Sequence, residues 1–183
     1  PGFYVPSLHG ENMGPVAQAP DVMLPAFSAI RTPDTELRDM MLIEPERGCH
    51  RGCTFCVMRR STNGGMRLVD PQRVLSLVTD DVPRVGLGGA AVADHPKLKD
   101  ILHEFIDERG KRIGISSLRA DRLDEELVNL LARGGYRSLT VAVDAASEHQ
   151  RRLIEKNIKE RHIERATRLA KAAGMRHIKL YVI

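Results

Sequence analysis

Apolar residues recur along this chain with two distinct periods. Leu98, Ile101, Leu102, Phe105 and Ile106 follow one another at three- and four-residue spacing, as do Leu123, Leu127, Leu130 and Leu131, and again Ile163, Ala166, Leu169, Ala170 and Ala173. Each set predicts the core-facing stripe of an amphipathic helix. Around them lie short, nearly continuous apolar runs: MMLIE at 40–44, then VPRVGLGG, GKRIGISSLRAD, GYRSLTVAVDAAS and GMRHIKLYVI. Runs of that kind predict parallel strands covered on both faces, beginning near Met40, Arg84, Arg112, Arg137 and Arg176. Gly110, Gly134 and Gly174 follow the helical stripes, where a left-handed cap is expected. Strand and helix in alternation predict an α/β fold, a parallel sheet with right-handed crossovers that is either open or curled toward a barrel. Ligands of such sheets gather at the C-terminal ends of the strands.

The first 39 residues break this rhythm. Pro1, Pro6, Pro15, Pro20, Pro25 and Pro33 fall there with little periodicity, so residues 1–39 are expected to form an extended linker or wrapping arm, and residues 40–183 the domain. With 183 residues and 42% hydrophobic content, one domain with a sizeable core is the default. No apolar run is long enough to span a membrane, and PGFYVPSLHGENMG lacks the regions of a signal peptide, so a soluble, cytoplasmic protein is expected. The 28 basic and 24 acidic residues leave a formal charge of +4, which suits an anionic ligand of any kind. Four Phe, three Tyr and no Trp provide no aromatic platform with basic interleaving, so neither nucleic acid nor membrane is an expected partner.

All three cysteines of the chain fall within ERGCHRGCTFCVMRR, residues 46–60, as Cys49, Cys53 and Cys56. An odd number of clustered thiols cannot close a disulfide framework and points toward a metal or catalysis. The first strand runs directly into this segment, which places it on the functional rim. Thiolates separated by three and then two residues can converge from one loop on one inorganic centre, and a 4Fe–4S cluster with no fourth cysteine would leave one iron open. A zinc site completed by His50 is the alternative, although His50 sits beside Cys49. Arg47, Arg51, Arg59 and Arg60 flank the cluster and would offset its negative charge. The seven histidines share no ligand spacing and are expected at the surface or in caps.

CHRGCTFC has the form CxxxCxxC with an aromatic before the third cysteine, and it resembles the signature of the radical S-adenosylmethionine (SAM) superfamily. The resemblance implies that Cys49, Cys53 and Cys56 hold a 4Fe–4S cluster, that the amino and carboxylate groups of SAM chelate its open iron, and that Phe55 lies beside the adenine. VGLGG at 85–89 resembles the glycine-rich end of the family's second strand, often GGE, where backbone groups bind the SAM amino group. Here Ala90 holds the third position. SSLRAD, SLTVAVDAASEHQRRLIEK and IKLYVI resemble the subgroup whose barrel follows a cobalamin-binding domain. Asp144, Ala145, Ala146, Ser147 and Glu148 stand where that subgroup often has Glu-Ala-Gly-Ser-Glu, followed by the basic pair Arg151 and Arg152.

The fold so implied is a parallel-stranded partial (βα) barrel, truncated after the fifth strand. SAM would lie across the strand ends on Gly88, Gly89, Ser117, Asp144 and Arg152. Arg151 and Arg152 are expected to open a helix, where their charge opposes the macrodipole and calls for an anion. The implied activity is reductive cleavage of SAM to a 5′-deoxyadenosyl radical that abstracts hydrogen from a substrate the sequence does not name, with cobalamin-assisted methyl transfer or rearrangement among the outcomes. A flavodoxin- or ferredoxin-like electron donor and an N-terminal cobalamin domain would be the partners. An iron–sulfur binding or electron-transfer module that never cleaves SAM is the second function class, and a fragment of this extent is expected to be incomplete for turnover.

Overall fold

The computed structural model describes residues 4–11, 17–58, 65–116 and 118–183. Among the described residues there are seven strands: β1 (Met40–Ile43), β2 (Glu46–Gly48), β3 (Met66–Leu68), β4 (Arg84–Leu87), β5 (Arg112–Ile115), β6 (Ser138–Asp144) and β7 (His177–Val182). β1, β4 and β5 form one parallel sheet in that order, with Met40 opposite Arg84 and Val85 opposite Ile113. β6 and β7 form a second parallel pair. Leu118 joins the two: its N–H donates to the Thr140 carbonyl at 3.0 Å, and its carbonyl accepts from Ala142 N–H at 3.0 Å. The result is a curved wall in the order β1, β4, β5, β6, β7, an α/β partial barrel. The five strands expected from the apolar runs are all present, each starting within one residue of its expected position.

Helices cover the outer face. After the short α1 (Pro6–His9) come α2 (Pro71–Ser76), α3 (Leu98–His103, prolonged by a π-helical turn over Glu104–Glu108), α4 (Glu125–Arg133), α5 (Glu148–Leu153) and α6 (Glu160–Ala172). Their starts follow local chemistry. Asp70 caps α2, accepting from Gln72 N–H at 2.7 Å ahead of Pro71, and Asp124 caps α4, accepting from Leu127 N–H at 2.9 Å. The helical stripes meet the outward residues of the strands in one core that includes Ile43, Val85, Leu87, Ile101, Leu102, Phe105, Leu130, Leu139, Val141 and Ala166. Full burial of each large member is worth about 1.5–3 kcal/mol. That gain holds the sheet's alternation in place, so β6 buries Leu139, Val141 and Val143 and leaves Thr140, Ala142 and Asp144 half-buried on the concave face.

Two expectations need correction. The left-handed residue after α4 is Gly135 (φ 100), while Gly134 has φ −69, because the chain makes one more residue of turn before entering β6. Arg151 and Arg152 close α5 rather than open it, so they sit at the end of the helix that favours cations, and no anion is required on macrodipole grounds. His95, buried at 5% exposed, meets the other expectation for the histidines, since it caps the turn Val92–Asp94. The antiparallel pair of β2 and β3 was not foreseen.

Of the arm, residues 26–28 run antiparallel along the free edge of β1: Ser28 N–H donates to Leu42 O and Glu44 N–H to Ala26 O, each at 2.9 Å. Leu24 enters the core. No helix among the described residues is long and apolar enough to cross a membrane.

Candidate functional site

Strand β1 ends at Ile43, and the chain passes through Pro45 into β2 and then the cysteine loop. Pairing of Glu46 with Leu68 and of Gly48 with Met66 brings the chain back, so the loop leaves and re-enters the fold through one narrow base. Cys53 is buried, and Cys49 and Cys56 are half-buried, all three as free thiols. Burial pushes the Cys49 thiol up; the Arg51 N–H, 3.4 Å from Sγ, opposes this, and Asp94, Cys53 and Cys56 reinforce it. Among the described residues no group of three or more His, Cys, Asp or Glu side chains stands at metal-binding spacing, so the thiols are not gathered into a preformed triangle. The donor set nevertheless fits a cluster with an open iron: three thiols on one loop, with no fourth cysteine in the chain. His50 lies 3.8 Å from Asp94 through Nε2 and its Nδ1 is 3.4 Å from the Met66 sulfur, an arrangement that gives no support to zinc.

Rim loops from three strands surround the cysteine loop with charge. Asp94, after β4, has a side chain only 1% exposed, and Arg51 grips it through Nη2 to Oδ1 at 2.5 Å and Nε to Oδ2 at 2.9 Å. Arg122, after β5, binds the same carboxylate. Burial opposes ionisation of Asp94, but the Arg51 hydrogen bonds and the charges of Arg51, Arg122 and His50 hold it below the usual carboxylate range. Arg119 pairs with Asp121 at 3.0 Å and donates to the Lys156 carbonyl at 2.8 Å. Beyond β6, Thr54 N–H donates to Ile154 O at 3.1 Å, docking the cysteine loop on the turn that follows α5.

The expected SAM contacts are distributed as follows. Gly88 and Gly89 lie directly after β4 and line a cleft of about 410 Å³ together with Phe27, Leu42, Glu44 and Arg47. Asp144 ends β6 with φ 63 and is ion-paired with Lys156. Arg152 is exposed on the last turn of α5, its Nη2 3.3 Å from His149 Nδ1. Arg151 is wholly occupied: it donates to the carbonyls of Ala145, Ala146 and Ile158 at 2.7–3.0 Å and pairs with Glu160. Ser147 caps α5 in a capping box with Gln150, and Glu148 accepts from Glu160 N–H at 2.7 Å. Phe55 is 44% exposed on the loop. Ser117, Arg59 and Arg60 lie outside the described residues. A separate cleft of about 320 Å³, lined by Arg84, Arg112 and Arg137, is at the opposite, N-terminal end of the strands.

Glu46 escaped the sequence reading. It is 0% exposed; Oε1 accepts from Ala91 N–H at 2.7 Å, and Oε2 has no partner among the described residues. A Cβ at Gly89 would fall 2.2 Å from Oε1, so any side chain there would have to displace this carboxyl. Burial pushes Glu46 up to about 7, against the Ala91 hydrogen bond and with help from Glu44 and Asp94. Nothing in a lone Glu before the cysteines signals such burial.

The radical SAM superfamily model matches residues 43–183, most of the chain. The chain belongs to the radical SAM superfamily. The cofactors of this superfamily are a 4Fe–4S cluster and SAM. An uncharacterised protein of Methanocaldococcus jannaschii, MJ0966, is 35% identical over 148 residues, which cover 76% of this chain and 32% of that protein. The chain thus spans about a third of that relative's length. Among solved structures, the radical SAM methyltransferase TsrM of Kitasatospora setae, with cobalamin and a 4Fe–4S cluster bound, is similar with a TM-score of 0.62 at 19% identity, over 76% of this chain and 30% of its own. The cobalamin-dependent radical enzyme OxsB, with aqua-cobalamin and SAM bound, gives a TM-score of 0.60 at 19% identity, over 91% of this chain and 27% of its own. These likenesses establish the radical SAM fold for the wall described above.

Proposed function

We propose that this chain is the cofactor-binding core of a radical SAM enzyme in which Cys49, Cys53 and Cys56 hold the 4Fe–4S cluster. The observation that carries the reading is the place of the cysteine loop: it follows β1 on the rim where the glycine-rich end of β4 and the ends of β5 and β6 also lie. Bound there, the cluster would supply the electron that cleaves SAM, and SAM would supply the 5′-deoxyadenosyl radical. The backbone at Gly88 and Gly89, together with Ser117, Asp144 and Arg152, is assigned to SAM, and Phe55 to its adenine. The full engagement of Arg151 supports giving the carboxylate to Arg152. Arg51 and Arg122 share the single carboxylate of Asp94 and so leave positive charge beside the thiolates, whereas the charge of Arg47 is matched by Glu44.

The cobalamin bound in TsrM and OxsB supports cobalamin-assisted methyl transfer or rearrangement of a substrate still to be identified, with cobalamin held by another domain of the whole protein and electrons drawn from a flavodoxin- or ferredoxin-like donor. The test is anaerobic purification with metal analysis. The protein is expected to be brown with about four iron atoms per chain, and Cys53→Ala to be colourless. Zinc in place of iron would refute the assignment.

A further inference from the structure

Three residues of the segment Ala91–His95, which follows β4, hold the cysteine loop and its β2–β3 base: Ala91 at the entry, Asp94 within the loop and His95 at the exit. At the entry, Ala91 N–H donates to Glu46 Oε1 at 2.7 Å. Within it, Asp94 takes both Arg51 hydrogen bonds on a carboxylate only 1% exposed, with His50 3.8 Å away. At the exit, His95 bonds Val69, the residue after β3: its Nδ1 accepts from Lys97 N–H at 3.1 Å, which leaves Nε2 as the donor to the Val69 carbonyl, also at 3.1 Å. Asp94 extends the hold to a third rim loop through Arg122.

We propose that Ala91–His95 is a clamp that sets the approach of the three cysteines to one another, and that Asp94 is its central positioning residue. The inference rests on the cluster assignment above. A loop of this kind has little apolar contact of its own. Cys49 and Cys56 are half-buried, and Phe55 and Val57 are exposed. Its geometry therefore depends on polar anchors, and the bidentate pairing of Arg51 with the buried Asp94 carboxylate is the strongest kind available. Without Asp94, Arg51 keeps only its 3.8 Å approach to Asp121, and without Arg51 the Asp94 carboxylate keeps Arg122 but loses its bidentate hold on the cysteine loop, so the anchor needs both partners. Asp94 acts on the loop through Arg51.

The test compares wild type, Asp94→Asn, Asp94→Glu and Arg51→Gln in the full-length protein. Without cluster, hydrogen exchange at the loop amides, Thr54 and Cys56 above all, should quicken about tenfold or more in Asp94→Asn while β6 is unchanged, which is the effect of losing a charge-assisted hydrogen bond. After reconstitution, the EPR spectrum of the reduced cluster and its response to SAM should differ from wild type in Asp94→Asn and return toward it in Asp94→Glu, which keeps the charge. If Asp94→Asn also loosens β6, Arg51→Gln decides, because it breaks the same contact from a partly exposed partner: loop-only acceleration supports the clamp and an unchanged loop overturns it. Wild-type exchange rates and spectra in Asp94→Asn would overturn it directly. Failure of the wild type to hold iron would refute the cluster assignment and leave the exchange result standing.

Discussion

Replacing Glu46 by glutamine should make the cluster-free protein more stable, and by an amount that grows with pH. Glutamine keeps an acceptor for Ala91 N–H and removes the charge from a site that is 0% exposed. Below pH 4.5 the carboxyl is protonated in folded and unfolded chains alike and contributes nothing to pH dependence. Between 4.5 and about 7 the unfolded chain releases the proton while the folded chain keeps it, so the folded state binds more protons and stability falls as pH rises. At about 1.4 kcal/mol for each pH unit, a rise from 4.5 to about 7 amounts to about 3.5 kcal/mol, fully expressed above pH 7. A domain of this size shifts its melting temperature by about 2–4 °C per kcal/mol. Part of the change falls below pH 5, so from pH 5 to pH 8 about 2.5 kcal/mol of it is expressed, and the melting curves of the two proteins should diverge by about 5–10 °C in favour of the glutamine variant. A difference that stays constant over this range, or that shrinks as pH rises, would refute the burial argument.

Gly89→Ala should destabilise by about 1–3 kcal/mol in denaturant unfolding, because its Cβ meets Glu46 Oε1 at 2.2 Å, and adding Glu46→Ala should make the pair less costly than the sum of the two. Arg151→Ala should cost at least about 3 kcal/mol, since it strips donors from the Ala145, Ala146 and Ile158 carbonyls. Arg152→Ala should leave unfolding within about 0.5 kcal/mol of wild type yet weaken SAM binding in calorimetry; unchanged SAM affinity would remove Arg152 from the site.

The wall of the barrel was legible in the sequence because its strands are nearly continuous apolar runs separated by helical stripes, and both periods are local. The cysteine spacing was legible for the same reason. β2 and β3 were not: ERG and MRL are three residues each, too short and too polar to show a period, and their pairing is created by the return of the loop between them. The clamp was equally hidden. Asp94 and His95 read as ordinary loop residues, and only the folded chain brings Arg51, Arg122 and Val69 to them. Arg151 and Arg152 look equivalent in sequence, yet one helical step separates a guanidinium sealed by three carbonyls from one left in solvent. Gly89 was read as a ligand contact, and in the structure it also makes room for a buried carboxyl.

The central claim is that the cysteine loop carries a cluster able to cleave SAM. The most direct measurement is to reconstitute the protein anaerobically, add dithionite and SAM, and quantify 5′-deoxyadenosine by chromatography, with Cys53→Ala as control. The account predicts 5′-deoxyadenosine from the wild type and none from the variant. An iron-loaded wild type that is reduced by dithionite yet leaves SAM intact would contradict it and would make the chain an electron-transfer module instead.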